Sequence, residues 1–165
     1  VKIDDYQHEN DSRIIDIIAR QQPVASDLRA LVTALRMGSD LERMGDLANH
    51  VAKVARLRHP NAAVPPELVA IIQAMGVAAV AITEKTGVVI ATRNTEMALE
   101  IERDDDVMDD LHRKLIAVLI EPTWKHGIET AIDLTLLGRY YERYADHAVS
   151  ISRRVYFLVT GEYAS

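Results

Sequence analysis

Cysteine is absent from the 165-residue chain, which excludes disulfides, thiolate metal sites and thiol redox chemistry. Aromatic residues are also scarce, with one Phe, one Trp and six Tyr, so aliphatic side chains must fill the interior. Only seven Gly and five Pro interrupt the sequence, as is typical of long helices. These absences favour a helical protein with an aliphatic core in a reducing compartment.

Basic residues are also fewer than acidic ones, with 19 Lys and Arg against 25 Asp and Glu. The formal net charge of −6 argues against broad binding to nucleic acid, which requires a basic surface. No basic and then apolar start resembles a secretory signal. The most apolar run, Leu68 to Thr83, is shorter than the roughly 20 residues that span a bilayer. We therefore expect a soluble cytoplasmic protein.

Proline and capping signals predict an all-α fold with five long helices. Ser26 and Thr95 are the predicted N-caps of the second and fourth helices, and Gly161 the C-terminal stop of the fifth. The predicted helices cover approximately residues 3–21, 26–57, 66–91, 95–120 and 128–160.

One motif occurs twice. Glu42-Arg-Met-Gly-Asp46 and Glu142-Arg-Tyr-Ala-Asp146 share the pattern Glu-Arg-x-x-Asp and lie one hundred positions apart. Acids four positions apart on a helix differ by about 40° around its axis, so each pair points in one direction. The repeat predicts a duplicated unit that presents clustered carboxylates.

The duplication divides the chain into tandem three-helix bundles, the first of them incomplete. Residues 1–58 form a first repeat with two helices, residues 59–66 a proline-rich linker, and residues 67–165 a complete second repeat. Nothing in the first half matches the helix that opens the second. We expect an exposed apolar face there, a chain cut at its N-terminus or one that borrows a neighbour's helix, and a homodimer or higher oligomer.

The phase of the paired acids indicates an exterior location. The apolar stripes on the two long helices lie opposite Glu42 and Asp46 in the first half, and opposite Glu142 and Asp146 in the second. We expect these carboxylates on an outer face or in a shallow groove between helices. The stripes comprise Met37, Leu41, Met44, Ala48, Val51 and Ala55, then Leu137, Tyr141, Tyr144, Ala148, Ile151 and Val155.

The fourth helix adds another candidate ligand. Asp104 falls within its apolar stripe, where a carboxylate must be paired or metal-bound, and Asp105 and Asp109 are candidate helpers. The offset of one hundred places Asp4 opposite Asp104, with Asp5 and His8 nearby. The predicted metal ligands are Asp4, Glu42, Asp46, Asp104, Glu142 and Asp146.

Oxygen ligands without sulfur favour Mg²⁺, Ca²⁺, Mn²⁺ or Fe over copper, and zinc stays open. The alternative is that these acids are ordinary surface charges. Arg43 and Arg143, beside the key glutamates, are interpreted as intrahelical pairs in preference to partner contacts. His50 and His147 are candidate second-shell groups or partly exposed filler.

These residues carry a family resemblance. Gln22-Pro-Val-Ala-Ser-Asp-Leu-Arg29 and Leu41-Glu-Arg-Met-Gly-Asp46 resemble the first repeat of the PhoU family of phosphate-transport regulators. Tyr141-Glu-Arg-Tyr-Ala-Asp-His-Ala148, followed by Gly161-Glu162, is similar to the second. The resemblance implies six helices in two bundles, of which this chain supplies five. It also implies multinuclear metal clusters (Fe, Zn, Mn or Mg) on the bundle surface.

The resemblance further implies a non-enzymatic negative regulator of phosphate uptake and phosphate-starvation signalling. Its implied partners are the ATPase of the phosphate ABC transporter and a sensor histidine kinase at the inner face of the membrane. The rival hypothesis is a carboxylate-bridged di-metal enzyme, which requires acids inside the bundle and Glu-x-x-His spacings. A helical scaffold without metal is a third interpretation.

Overall fold

A computed structural model describes residues 2–163, and its helices form an all-α fold, as predicted. A short 3-10 helix, Pro66–Leu68, leads into the third long helix, and no strand occurs within residues 2–163. The long helices are α1 (Lys2–Gln21), α2 (Ala25–Arg58), α3 (Val69–Thr92), α4 (Thr95–Leu119) and α5 (Gly127–Thr160).

Two of the three predicted caps were wrong, by two residues for α2 and by one residue for α4. Helix α2 begins at Ala25 after an extended Val24 that makes no side-chain cap, so Ser26 already lies in the first turn. Asn94, and not Thr95, caps α4, because its side chain accepts the Met97 N–H at 2.9 Å. Gly161 ends α5 as predicted, in the left-handed conformation at φ 78°.

Helix α5 is the centre of the fold and contacts α2, α3 and α4. The core lies between α3, α4 and α5, which form the predicted three-helix bundle, and α2 runs along another side of α5. The fully buried side chains include Met75, Ile82 and Val89 of α3, Ile101, Met108 and Leu115 of α4, and Leu134, Ile151 and Val155 of α5.

The first half leaves an apolar groove open, as expected. In the second half α3 packs against both α4 and α5, whereas α1 and α2 have no third helix of their own among the described residues. A groove of about 550 Å³ results, lined in part by Ile3, Tyr6 and Leu41. These side chains are 37%, 67% and 40% exposed, respectively.

Helix α3 is more apolar than the sequence run suggested. The segment Pro66–Thr92 is long and apolar enough to cross a membrane by length and composition alone, with a mean hydropathy of 1.7 over its best window. The expectation drawn from the shorter run Leu68 to Thr83 is therefore corrected on this point. The mostly buried core helices of soluble proteins pass the same test, but only 22% of this window is buried, through residues such as Met75, Ile82 and Val89.

Candidate functional site

The two Glu-Arg-x-x-Asp motifs lie at the same level of the fold because α2 and α5 pack antiparallel. His50 stacks on Tyr140 with ring centroids 5.1 Å apart, and Asp40 meets the Nδ1 atom of His147 at 3.0 Å. Both motifs fall between these two contacts along their helices. The duplicated acids are thus brought to the middle of the molecule.

The paired acids lie outside the buried core, on the flanks of their helices. The Glu142 side chain is 16% exposed and that of Asp146 is 50% exposed. On α2, Glu42 is half-buried and the Asp46 side chain is 41% exposed. The acids therefore lie off the apolar stripes, as their phase predicts, unlike the interior ligands of di-iron bundles.

A glycine allows α4 to approach α5 closely beside the second motif. A Cβ atom at Gly138 would lie 2.8 Å from Leu115 Cδ2 and 3.0 Å from His112 Cδ2, closer than side chains tolerate. Asp105 of α4 lies within range of the charges of Asp146 and Glu142 on α5. The close contact at Gly138 therefore holds Asp105 near the second motif.

The Asp105 carboxyl is affected by the neighbouring negative charges. The pKa of its carboxyl rises from 3.8 to about 6, first because of burial and then because of the charges of Asp109, Asp146, Asp106 and Glu142. Its Oδ1 atom is buried without a hydrogen-bond partner. A buried, unpartnered acceptor among like charges is a position at which a cation would lower the electrostatic energy.

Arginines on α5 neutralise part of this cluster. Arg139 forms an ion pair with Glu142, and Arg143 lies 3.9 Å from Asp146. On α2, Arg43 lies 3.6 Å from Asp46. The interpretation of Arg43 and Arg143 as intrahelical pairs is therefore confirmed. No arginine occupies the place of Arg139 in the first half, where the residue is Ser39.

The structure contains carboxylates that suit a cation by chemistry but are not arranged around one. Within residues 2–163, no three Asp, Glu or His side chains converge closely enough to hold a metal ion. Between α4 and α5, the orphaned Asp105 oxygen and the excess of acids over arginines fit hard-cation ligation. We name these four acids, Asp105, Asp109, Glu142 and Asp146, the carboxylate cluster.

Comparison with known proteins identifies the family. The PhoU domain matches residues 1–55 and 72–155. The chain is 50% identical over 147 residues to the phosphate-specific transport system accessory protein PhoU homolog 2 of Mycobacterium tuberculosis, covering 89% of this chain and 69% of that protein. The chain belongs to the PhoU family.

Solved structures agree with this assignment. The crystal structure of PhoU from Pseudomonas aeruginosa has a TM-score of 0.84 and 26% identity, over 98% of this chain and 78% of that one. The phosphate transport system regulatory protein PhoU from Streptococcus pneumoniae also has a TM-score of 0.84, at 22% identity, and shares the fold. The match covers 99% of this chain and 77% of the Streptococcus pneumoniae chain.

Within this PhoU domain, Asp104 and Asp105 exchange the roles that the sequence predicts for them, candidate ligand and helper. Lys85 of α3 lies 2.8 Å from Asp104, and the hydrogen bond with this carboxylate raises the pKa of Lys85. The apolar stripe does require Asp104 to be paired, and Lys85 is the partner. Asp105, ranked as a helper, is the acid that faces the α5 motif. Asp104 as a metal ligand stays a prediction.

The repeat also has a different register on its shorter helices. Gly38 of α2 is contacted by Gln7 and Asn10, whereas its counterpart Gly138 is contacted by His112 and Leu115. The shift from α1 to α4 is therefore five residues larger than the offset of one hundred between the motifs. The predicted equivalence of Asp4 and Asp104 is wrong, and Asp109 is the structural counterpart of Asp4.

The first-half acids are brought together less completely. A Cβ atom at Gly45 would lie 2.8 Å from Ile3, so α1 approaches α2 beside Glu42 and Asp46, and Asp4 is on the same turn as Ile3. The Nδ1–H of His8 donates to the Asp4 backbone carbonyl oxygen, 2.8 Å away on the same helix. The metal role of Asp4, Glu42 and Asp46 stays a prediction.

Sequence reasoning underrated the Asp105–Asp109 pair although a signal for it was present. These acids are four positions apart, the same spacing as Glu142 and Asp146. The rotation of α4 about its own axis decides whether its acid pair faces the acid pair of α5, and the sequence does not specify that rotation. His147, a candidate second-shell group by sequence, contacts Asp40 of α2 and lies outside the carboxylate cluster.

Replacing Asp105 with asparagine should stabilise the PhoU domain at neutral pH. The folded pKa, about 6, exceeds the unfolded value of 3.8, so stability falls as pH rises through this interval. Because the carboxyl is only about half-buried, we expect Asp105→Asn to gain roughly 1–2 kcal/mol at pH 7.5 and almost nothing at pH 4. Urea denaturation at both pH values measures the difference.

The matched control is Asp16→Asn, which changes an exposed acid whose partner is Arg20. It should change the free energy of unfolding by less than about 0.5 kcal/mol at either pH. An equal effect of Asp105→Asn at pH 4 and pH 7.5 would contradict the crowding of charge at this position.

Proposed function

We propose that this chain is a non-enzymatic negative regulator of phosphate uptake and phosphate-starvation signalling in the cytoplasm. The observation that supports it most is family membership. Relatives at up to 50% identity are named as phosphate-specific transport system accessory proteins. Its proposed partners are the ATPase of the phosphate ABC transporter and a sensor histidine kinase. Among the described residues, no acid of the motifs lies in the buried core, so no observation favours the di-metal enzyme.

The carboxylate cluster supplies a physical basis for regulated docking. Asp105 has an unpartnered oxygen and lies within range of the negative charges of Asp109, Glu142 and Asp146. We propose that these residues hold Fe, Zn, Mn or Mg, with a second set formed by Asp4, Glu42 and Asp46. A bound cation supplies positive charge that neutralises the carboxylate cluster. The fold holds these carboxylates close together, and a bound cation would relieve their mutual repulsion.

The metal proposal predicts the behaviour of a double variant. Glu142→Ala with Asp146→Ala should lower the metal content of protein purified without chelators to the level of a metal-free control, because half of the cluster is removed. Elemental analysis measures this content. Asp104→Asn should leave the content unchanged if Lys85 is the true partner, and should lower it if Asp104 is a ligand as the sequence predicted.

Partner binding tests the regulatory role. Pull-down with the organism's own transporter ATPase and kinase should recover both with the wild-type chain and recover less with the double variant. Glu9→Ala with Asp16→Ala, two exposed acids of α1 paired with arginines, is the matched control and should bind as wild type. Failure of the wild-type chain to bind either partner would discard the regulatory proposal.

Oligomeric state follows from the open groove. We propose a homodimer or higher oligomer in which the apolar faces of the first half and of α3 are covered. Support comes from the exposed Ile3, Tyr6 and Leu41 on one side and from Val77 and Val80, 71% and 59% exposed, on the other. Sedimentation velocity tests this arrangement, and a monomer across micromolar concentrations would exclude it.

A further inference from the structure

A pocket rich in arginine lies at the opposite end of the α2–α5 pair from the 3-10 helix. It has a volume of about 260 Å³ and is formed by the early turns of α2 and the late turns of α5. We call it the arginine pocket. Its polar lining consists of Arg29, Thr33, Arg36, Ser150, Arg153 and Arg154. Four guanidinium groups around one small volume are notable in a chain whose net charge is −6.

Only half of this positive charge is neutralised. Arg154 donates to Asp40 at 2.9 Å and Arg153 donates to Glu102 at 2.6 Å. Within residues 2–163, neither Arg29 nor Arg36 forms an ion pair. The pocket therefore has two guanidinium groups in excess of its acids, and like charges gathered in this way attract an anion.

Two hydroxyl groups in the lining also lack partners. Thr33 is 6% exposed and Ser150 is half-buried, and neither side chain makes a hydrogen bond with any part of the chain that the structure describes. A hydroxyl without a protein partner that lines a pocket is free to bond to water or to a ligand. Both can donate to an oxygen atom placed between the arginines.

Aromatic contacts position the Arg29 guanidinium at the pocket without neutralising its charge with an acid. Phe157 and Tyr163 stack with ring centroids 4.6 Å apart, and the Arg29 guanidinium carbon lies 5.6 Å from the centre of the Phe157 ring. Gly161 turns the chain in the left-handed conformation that brings Tyr163 back onto Phe157. A guanidinium placed in advance loses less entropy when it binds.

The other end of the same helix pair shows that the fold does not require such a pocket. There the repeat places Glu129 and Asp133 at the positions equivalent to Arg29 and Thr33. Arg58 closes that end through ion pairs of 2.8 Å and 2.5 Å to these acids, which raise the pKa of its guanidinium. The charges at that end are paired, whereas those at the arginine pocket are not.

We propose that the arginine pocket binds a phosphate-type oxyanion, either inorganic phosphate or the terminal phosphate of a phosphomonoester. Guanidinium forks match phosphate oxygens in bidentate geometry, and a phosphate group near neutral pH carries about 1.5 to 2 negative charges. The charge of the anion is therefore close in size to the excess of two positive charges in the arginine pocket. The pocket would bind such an anion whether or not the chain contacts a transporter.

Isothermal titration of the full chain with inorganic phosphate, O-phosphoserine and acetate tests the proposal. Phosphate or the phosphomonoester should bind in a salt-dependent manner, and acetate should bind at least tenfold more weakly because it has one charge and fewer acceptors. Arg29→Gln with Arg36→Gln should weaken binding by about tenfold or more, since two charged hydrogen-bond donors are lost.

Two further variants separate binding from folding. Thr33→Val keeps the side-chain shape and should weaken binding several-fold without changing the thermal midpoint. Arg113→Gln removes one exposed guanidinium that pairs with Asp110 outside the pocket, and should bind as wild type. Tighter binding of phosphate identifies the free ion as the ligand, and tighter binding of O-phosphoserine identifies an ester.

Three results would overturn the proposal. One is no binding of either phosphate compound at millimolar concentration. Another is binding that the arginine and threonine variants leave unchanged while they remain folded by circular dichroism. The last is acetate binding as tight as phosphate binding, which would indicate unspecific attraction of charge.

Discussion

Replacing Asp40 with alanine should lower the free energy of unfolding by about 3 kcal/mol, one of the two largest effects that we expect in this protein. The Asp40 side chain is 12% exposed and accepts hydrogen bonds from Arg154 at 2.9 Å and from His147 at 3.0 Å. Removing it leaves a guanidinium and an imidazole in a partly buried interface between α2 and α5 without their acceptor.

The size of this effect depends on burial. Arg154 is 31% exposed and His147 is 16% exposed, so water can reach the orphaned groups only in part. Breaking a buried pair by removing one partner costs about 3–5 kcal/mol, and we take the lower limit because of this exposure. Urea denaturation followed by circular dichroism measures the change.

The control for Asp40→Ala is Asp16→Ala on α1. Asp16 also accepts from an arginine, Arg20 at 2.6 Å, but its side chain is 55% exposed. Exposed pairs contribute less than about 1 kcal/mol, so the control should be near neutral. A similar small loss for both variants would show that the Asp40 network does not join the two halves.

Replacing Gly138 with leucine should cost a similar amount, about 3 kcal/mol. Even the Cβ atom would lie 2.8 Å from Leu115, which is fully buried and cannot move aside without disturbing the core. Relief requires α4 to move away from α5. That movement would also separate Asp105 from Glu142 and Asp146, so the pKa of Asp105 should fall toward its ordinary value.

Gly87 provides a matched control on α3. A Cβ atom there would meet nothing within 4 Å, and the position is exposed in the middle of a helix. Gly87→Ala should therefore stabilise the chain by about 0.5–1 kcal/mol. Thermal denaturation measures both variants, and carbon-detected NMR titration measures Asp105. Unchanged stability of Gly138→Leu would mean that α4 and α5 are not held by close contact.

The helical content and the family were accessible from the sequence because their signals are local. Apolar residues at alternating spacings of three and four identify each helix, and Gly161 and the prolines mark ends. The outward phase of Glu142 and Asp146 also followed from angles along one helix. The predicted caps Ser26 and Thr95 were wrong because α2 and α4 begin earlier, directly after Val24 and Asn94.

The membership of the carboxylate cluster was less accessible. Asp104 and Asp105 are adjacent in sequence, and both are half-buried. A small rotation of α4 between α3 and α5 decides which of them meets Lys85 and which meets the α5 acids. The register between α1 and α4 was also hidden, because the turn lengths that separate them from α2 and α5 differ.

Five helices, a duplicated acidic motif off the apolar stripes and the PhoU resemblance can be read from the sequence alone, since each depends on residues within a few turns of one another. That Asp105 is the crowded acid and that Asp40 joins α2 to α5 follows only from the packing of the helices. The same packing places four arginines from two helices around one pocket. Such contacts join residues of different helices, some of them more than a hundred positions apart. They depend on how packed helices rotate and align, which local patterns do not encode.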